Sequence, residues 1–147
     1  METSDAPRAY ALRLEPGEDL RLALESRART QPIPAAGIVS AVGSLTSAHI
    51  RMAGASTPRS VAGPLEILTL SGTVGAGGAH LHIMVSDPQG HCIGGHVAQG
   101  CIVHTTAELV LLLLPGLQFD RRPDSTTGYP ELAIERADGG TRTPPDV

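Results

Sequence analysis

The chain has 147 residues, a formal net charge of −4, 41% hydrophobic residues and three aromatic side chains (Tyr10, Phe119 and Tyr129), with no Trp. That length suits one domain able to bury a core without disulfides, and the core has to be aliphatic. All 11 basic residues are Arg, and the acidic balance excludes the broad positive field that draws a phosphate backbone.

Residues 1–8 are polar and are expected to fray. Tyr10, Leu12 and Leu14 alternate with Ala11 and Arg13, which predicts a half-buried strand ended by Pro16-Gly17. Leu20, Ala23, Leu24 and Ala28 then recur at helical spacing. With Glu18 and Asp19 in the first turn and Arg27 and Arg29 in the last, the helix dipole is matched, and one long helix is expected over 18–30. From Gly37 onward, β-branched runs separated by glycine predict strands over 38–42, 47–52, 65–70, 81–86, 92–97 and 131–136. Residues 102–114 form a further run of the same kind that either begins as a helix or bends midway. A mobile loop is expected over 52–63 and a flexible turn over 75–78.

Within that further run, residues 109–114 carry no polar alternation, so both faces of the segment need cover, and a domain with one helix is short of it. Oligomerisation through this strand or its neighbours is therefore expected. Residues 137–147 read as a second tail, leaving an α+β domain over 9–136 with a mostly antiparallel sheet. Cys92 and Cys101 form no CxxC pair or larger framework and are read as buried free thiols. The apolar run is far shorter than the ~20 residues of a membrane span. The N-terminus has no basic region followed by an apolar stretch, so a cytoplasmic protein is expected.

Six histidines occur, and three have informative spacing. His80 and His82 are two apart, so on a strand they share a face. Asp87-Pro88-Gln89-Gly90 has the order of a type I turn closed by a left-handed glycine. Such a hairpin, with Pro88 to Gly90 as its loop, sets Asp87 opposite His91 and His82 opposite His96. Cross-strand Cβ atoms lie ~4.5–5.5 Å apart, so His80, His82 and His96 converge on one point. Three imidazoles suit a divalent transition metal, zinc foremost, and leave a fourth tetrahedral position for water or a ligand. A two-residue loop would instead shift the register and send His96 to the other face.

Gly94 and Gly95, just before His96, are read as a place where a ligand approaches or the strand bulges. Glu66 interrupts an apolar strand, and a solitary buried carboxylate is costly. Arg51 is the expected partner in a structural ion pair, the alternative being a pocket or proton-transfer role for Glu66. His49, His91 and His104 are read as ordinary histidines.

These residues form an ordered series. Gly37-Ile38-Val39-Ser40 and Val42-Gly43-Ser44-Leu45 precede Leu65-Glu66-Ile67-Leu68-Thr69-Leu70-Ser71-Gly72, then His80-Leu81-His82, Ser86-Asp87 and Gly94-Gly95-His96. Gly100-Cys101-Ile102-Val103 and Thr106-Ala107-Glu108 close it. The series resembles the plants and prokaryotes conserved (PPC) domain, in the single-domain prokaryotic form related to plant AT-hook proteins. The resemblance implies an α+β homotrimer and, for several prokaryotic members, a metal held by histidines that match His80, His82 and His96. It also brings a DNA-binding label. The plant members reach DNA through an Arg-Gly-Arg-Pro core, whereas Arg121-Arg122-Pro123 lacks the glycine and is flanked by Asp120 and Asp124.

Three functions follow as expectations. The first is a trimeric binding or regulatory module with a metal or small ligand at the histidines. The second is a metal-dependent hydrolase, for which Glu66 is the one candidate base. The third is association with DNA.

Overall fold

A computed structural model describes residues 6–31 and 33–138. The strands β1 (Arg8–Leu14), β2 (Ala35–Arg51), β3 (Arg59–Gly75), β4 (Gly78–Ser86), β5 (Cys92–Val97) and β6 (Ile102–Leu113) form one antiparallel sheet in the order β1-β6-β2-β3-β4-β5. The end of β2 also pairs with β5, Ile50 opposite Val97 and Arg51 opposite His96. The sheet thereby closes on itself through β2, β3, β4 and β5. A separate hairpin, β7 (Leu117–Pro123) with β8 (Pro130–Arg136), completes the fold.

The helix α1 (Leu20–Thr30) has 11 residues and is shorter than the sequence suggests. Asp19 is its N-cap, accepting from the Leu22 amide, so Asp19 and Glu18 lie outside the helix. The second Asp19 oxygen accepts from the Gly100 amide at 2.6 Å. The carboxylate thus ties the helix start to the β5–β6 connection. Leu20, Ala23, Leu24 and Ala28 are the buried stripe, as their spacing predicts. They pack on an aliphatic interior that includes Leu45, Ile50, Leu65, Leu81 and Leu109.

Other expectations change. Arg8 belongs to β1, opposite Leu113, and the outer parts of the expected tails, 1–5 and 139–147, fall outside the described residues. Residues 59–63, expected in a mobile loop, belong to β3 because β2 and β3 pair along a long ladder around a bulge between Leu45 and Ser47. Residues 102–113 are strand throughout. β7 went unread, although Leu117 and Phe119 alternate ahead of a turn. Phe119 is buried, and its amide donates to the Pro34 carbonyl. Cys101 is buried, as expected, but Cys92 is exposed at the start of β5.

In β6, Leu109 and Leu111 are buried while Val110 and Leu112 are 37% and 39% exposed. The chain therefore covers one face of that strand and leaves the other open. Val42, Leu68 and Met84 are also exposed large hydrophobics. Their strands neighbour one another, which places them with Val110 and Leu112 on the outer face of the sheet.

Gly94 and Gly95 serve backbone approach. A Cβ on Gly94 would lie 2.7 Å from the Ile83 carbonyl oxygen, and one on Gly95 would lie 2.8 Å from the Arg51 carbonyl oxygen and 2.9 Å from Ile50 Cγ2. These glycines let β5 sit between β4 and the end of β2, and neither lines the cavity described below. Gly95→Ala is accordingly expected to cost ~1–3 kcal/mol through overpacking, read as a lower denaturation midpoint. An unchanged midpoint would show that β5 can move away from β2.

Candidate metal centre

The β4–β5 hairpin builds the site from the turn outward. The Asp87 amide donates to the His91 carbonyl, Gly90 donates back to Asp87, and Gly90 takes φ +82°. Only a residue tolerant of positive φ closes this three-residue loop readily. Asp87 also accepts from the amides of Gln89 and His91, which holds its carboxyl below the usual range despite the opposing effect of desolvation. The register that follows sets Ser86 opposite Cys92 and His82 opposite His96. His80 and His82 project from the outer face of β4, between the buried Ala79, Leu81 and Ile83.

One ring nitrogen from each of His80, His82 and His96 lies within 4.8 Å of the others. The ring centroids are 5.1 Å apart for His80–His82 and His80–His96, and 5.8 Å apart for His82–His96. His96 is the most enclosed of the three. Among the described residues its buried Nδ1 has no hydrogen-bond partner. Burial, followed by the nearby Arg51 guanidinium, pushes the ring down to about 4. Burial and then Arg121 also lower His80.

An imidazole kept neutral retains the lone pair that a metal needs. A buried ring nitrogen without a partner is a cost that coordination or an added ligand would offset. The donor set fits a zinc-type ion. Ligand nitrogens ~2.0–2.1 Å from such an ion stand closer together than these do, and modest rotations of the exposed His80 and His82 rings would bring them in.

The low His96 value has a consequence for the metal-free protein. An unfolded His96 takes up its proton near the ordinary 6.5, while the folded ring resists until about 4. The unfolded state therefore binds more protons between those values, and stability falls as pH drops from 6.5 towards 4. Denaturation midpoints at pH 7 and pH 5 in chelator should show this fall, and His96→Ala should flatten it. Equal slopes for the two proteins would remove the assignment.

The other predicted site residues are placed elsewhere or engaged differently. Glu66 is exposed, opposite Ser44 and Ser86. Ser86 lies four residues beyond His82 along β4, or ~13 Å at strand rise. Among the described residues Glu66 makes no ion pair with Arg51. The carboxylate needs no buried partner because its side of β3 faces outward. Arg51 instead stands opposite His96 and donates to the Ala55 carbonyl at 3.4 Å. His91 pairs with Asp87 at 3.1 Å on the exposed hairpin, and His104 is exposed on β6.

Sequence reasoning missed the cavity beside the histidines. It measures about 860 Å³, and its lining includes His80, His96, Arg21, Arg51, Arg121 and Glu131. Glu25 joins it from α1, accepting from Arg21 Nε at 2.9 Å and from the Ala79 amide at 3.2 Å. That carboxylate locks the helix to β4 beside His80. Arg121 and Glu131 come from the β7–β8 hairpin, where the Leu117 and Phe119 alternation was the available signal.

With this geometry in place, comparison with known proteins decides the family. A model of the Plants and Prokaryotes Conserved (PCC) domain, the PPC domain named above, matches residues 1–115. The chain belongs to that family. The curated relatives include the bifunctional protein GlmU of a Synechococcus strain, 47% identical over 94% of this chain. This PCC chain spans 22% of that relative's length. Among solved structures, a hypothetical protein from Salmonella has a TM-score of 0.86 at 41% identity, covering 93% of this chain and 99% of its own. A metal-containing protein from Archaeoglobus fulgidus has a TM-score of 0.71 at 30% identity, covering 86% and 93% respectively. Two structures described as candidate DNA-binding proteins, at 18% and 22% identity, share the fold alone.

Proposed function

We propose that this PCC-domain chain is a homotrimeric binding or regulatory module carrying a divalent transition metal, zinc foremost, on His80, His82 and His96. The convergence of three ring nitrogens within 4.8 Å carries the reading. The similar Archaeoglobus protein is described as metal-containing, which supports it. Bound there, the ion would offer an open fourth position and Lewis acidity to a ligand. The chain's own residues keep His96 neutral, fix its register against His82, and flank the site with a cavity. For the trimer, the support is the outer sheet face, where exposed Val42, Leu68, Met84, Val110 and Leu112 form the kind of apolar surface that association covers.

A binding role is preferred to hydrolysis because Glu66, the base the sequence offered, stands several residues along the sheet from His82. DNA is disfavoured by charge, since three chains of −4 carry 3 × −4 = −12. Among the described residues no helix is long and apolar enough to cross a membrane. Elemental analysis of untagged protein tests the metal. Near-stoichiometric zinc, or its uptake after incubation, is expected, and protein that stays metal-free after incubation with zinc overturns the reading.

A further inference from the structure

The cavity beside the histidines has a charge pattern that the metal reading does not use. Arg21, Arg29, Arg51 and Arg121 line it against two carboxylates, Glu25 and Glu131. Arg21 is matched by Glu25 at 2.9 Å. Among the described residues, Arg51 and Arg121 have only neutral acceptors, the Ala55 carbonyl at 3.4 Å and Thr73 Oγ1 at 3.0 Å, and neither forms an ion pair. Both are half-buried.

The two guanidiniums reach the cavity from different parts of the fold. Arg51 ends β2 opposite His96, and Arg121 comes from β7, beyond the residues that the family model matches. Partly buried guanidiniums without a counter-charge are costly, and a planar fork of donors suits a bidentate oxyanion. A volume of about 860 Å³ suits a small organic molecule.

We infer that the cavity binds a small organic oxyanion, a polycarboxylate or phosphate ester, with one anionic group on Arg51 and Arg121 and another reaching towards the three histidines. The second contact rests on the metal reading above, and the first does not. Although the chain is acidic overall, the local balance at this cavity is four arginines to two glutamates. Local charge rather than net charge sets the sign of a buried ligand. Glu25 and Glu131 also select against an anion that fills the whole cavity with negative charge, favouring one that carries hydroxyl or amide groups beside its anionic ones.

The test is calorimetric titration of the full chain, zinc-loaded and chelator-stripped, with succinate and inorganic phosphate as probes. Saturable binding of at least one probe is expected, and which of them binds separates carboxylate from phosphate chemistry. Arg51→Gln and Arg121→Gln should each weaken it about tenfold to a hundredfold without changing zinc content. Arg59→Gln, an exposed change of equal charge away from the cavity, should leave it unchanged. Absence of binding by both probes to zinc-loaded protein, or equal affinity in the two arginine variants and the wild type, overturns the inference. Arginine-dependent binding by protein that takes up no zinc would uphold the anion site and remove the metal reading, so the two failures are distinct.

Discussion

His82→Ala is expected to abolish zinc uptake while leaving the fold intact. The side chain lies on the outer face of β4 and does not line the cavity. The core behind it is formed by buried Leu81, Ile83 and Val85, so its removal leaves no interior void. Loss of a supporting residue around a metal ligand already costs ten- to a hundredfold in affinity, and loss of a ligand itself should exceed about a hundredfold. Linkage converts this into a melting difference. Zinc at about 100 times its dissociation constant stabilises the wild type by ~2.7 kcal/mol, whereas the variant gains almost nothing at the same concentration. Thermal melts with and without zinc measure the contrast. His104→Ala, at an exposed position of β6, is the matched control and should behave as wild type. A variant that still melts higher in zinc, by the wild-type increment, would move the ion away from these three rings.

Leu68→Asp is expected to convert a trimer into a monomer. Leu68 is 47% exposed in the isolated chain, so the substitution costs little within the fold. In an assembly that covers the outer face of the sheet, each copy would bury an unpaired carboxylate. Such a charge costs several kcal/mol at each contact even after relaxation. Light scattering at micromolar concentration should read three times the chain mass of 15.2 kDa for the wild type and one times that mass for the variant. A wild-type monomer, or a variant that keeps the trimeric mass, would show that this face is not where copies meet. Because the proposed metal ligands His80 and His82 share the outer face of β4, zinc content should be measured on the same samples to learn whether assembly and metal binding are coupled.

Much of the candidate centre was legible because local chemistry determines it. The order Asp87-Pro88-Gln89-Gly90 admits few hairpin loops, and a three-residue loop fixes which residues face one another. With a period of two along each strand, the pairing of Ser86 with Cys92 leads directly to His82 opposite His96. Helix position was similarly accessible from the Leu20, Ala23, Leu24 and Ala28 stripe. Its first residue was not, because an acidic residue before a helix serves equally as a cap or as part of the first turn. The Gly100 amide bound to Asp19 Oδ2 at 2.6 Å accompanies the capping arrangement and is a long-range contact.

Interruption of an apolar strand by Glu66 misled for a physical reason. Sequence alternation tells which residues share a face, but not whether that face is covered. β3 turns its alternate residues outward, so Glu66 remains in solvent and Arg51 is left to the cavity. The glycines before His96 carried the same ambiguity, since absence of a side chain marks close approach without saying of what. Only the pairing of β5 with β4 and with the end of β2 shows the approaching groups to be the Ile83 carbonyl at Gly94 and the Arg51 carbonyl at Gly95.

By itself, then, the sequence determined the aliphatic core, the antiparallel ladder and the three histidines, because turn chemistry and strand periodicity act over a few residues. The tertiary structure decided the cavity, which brings Arg21 of α1, Arg51 of β2 and Arg121 of β7 against His80 and His96. It also decided that one side of β6 lies bare. Both depend on how distant segments pack, with β2 closing onto β5 and the β7–β8 hairpin seating Phe119 beside Pro34, and no local pattern encodes contacts between residues so far apart along the chain.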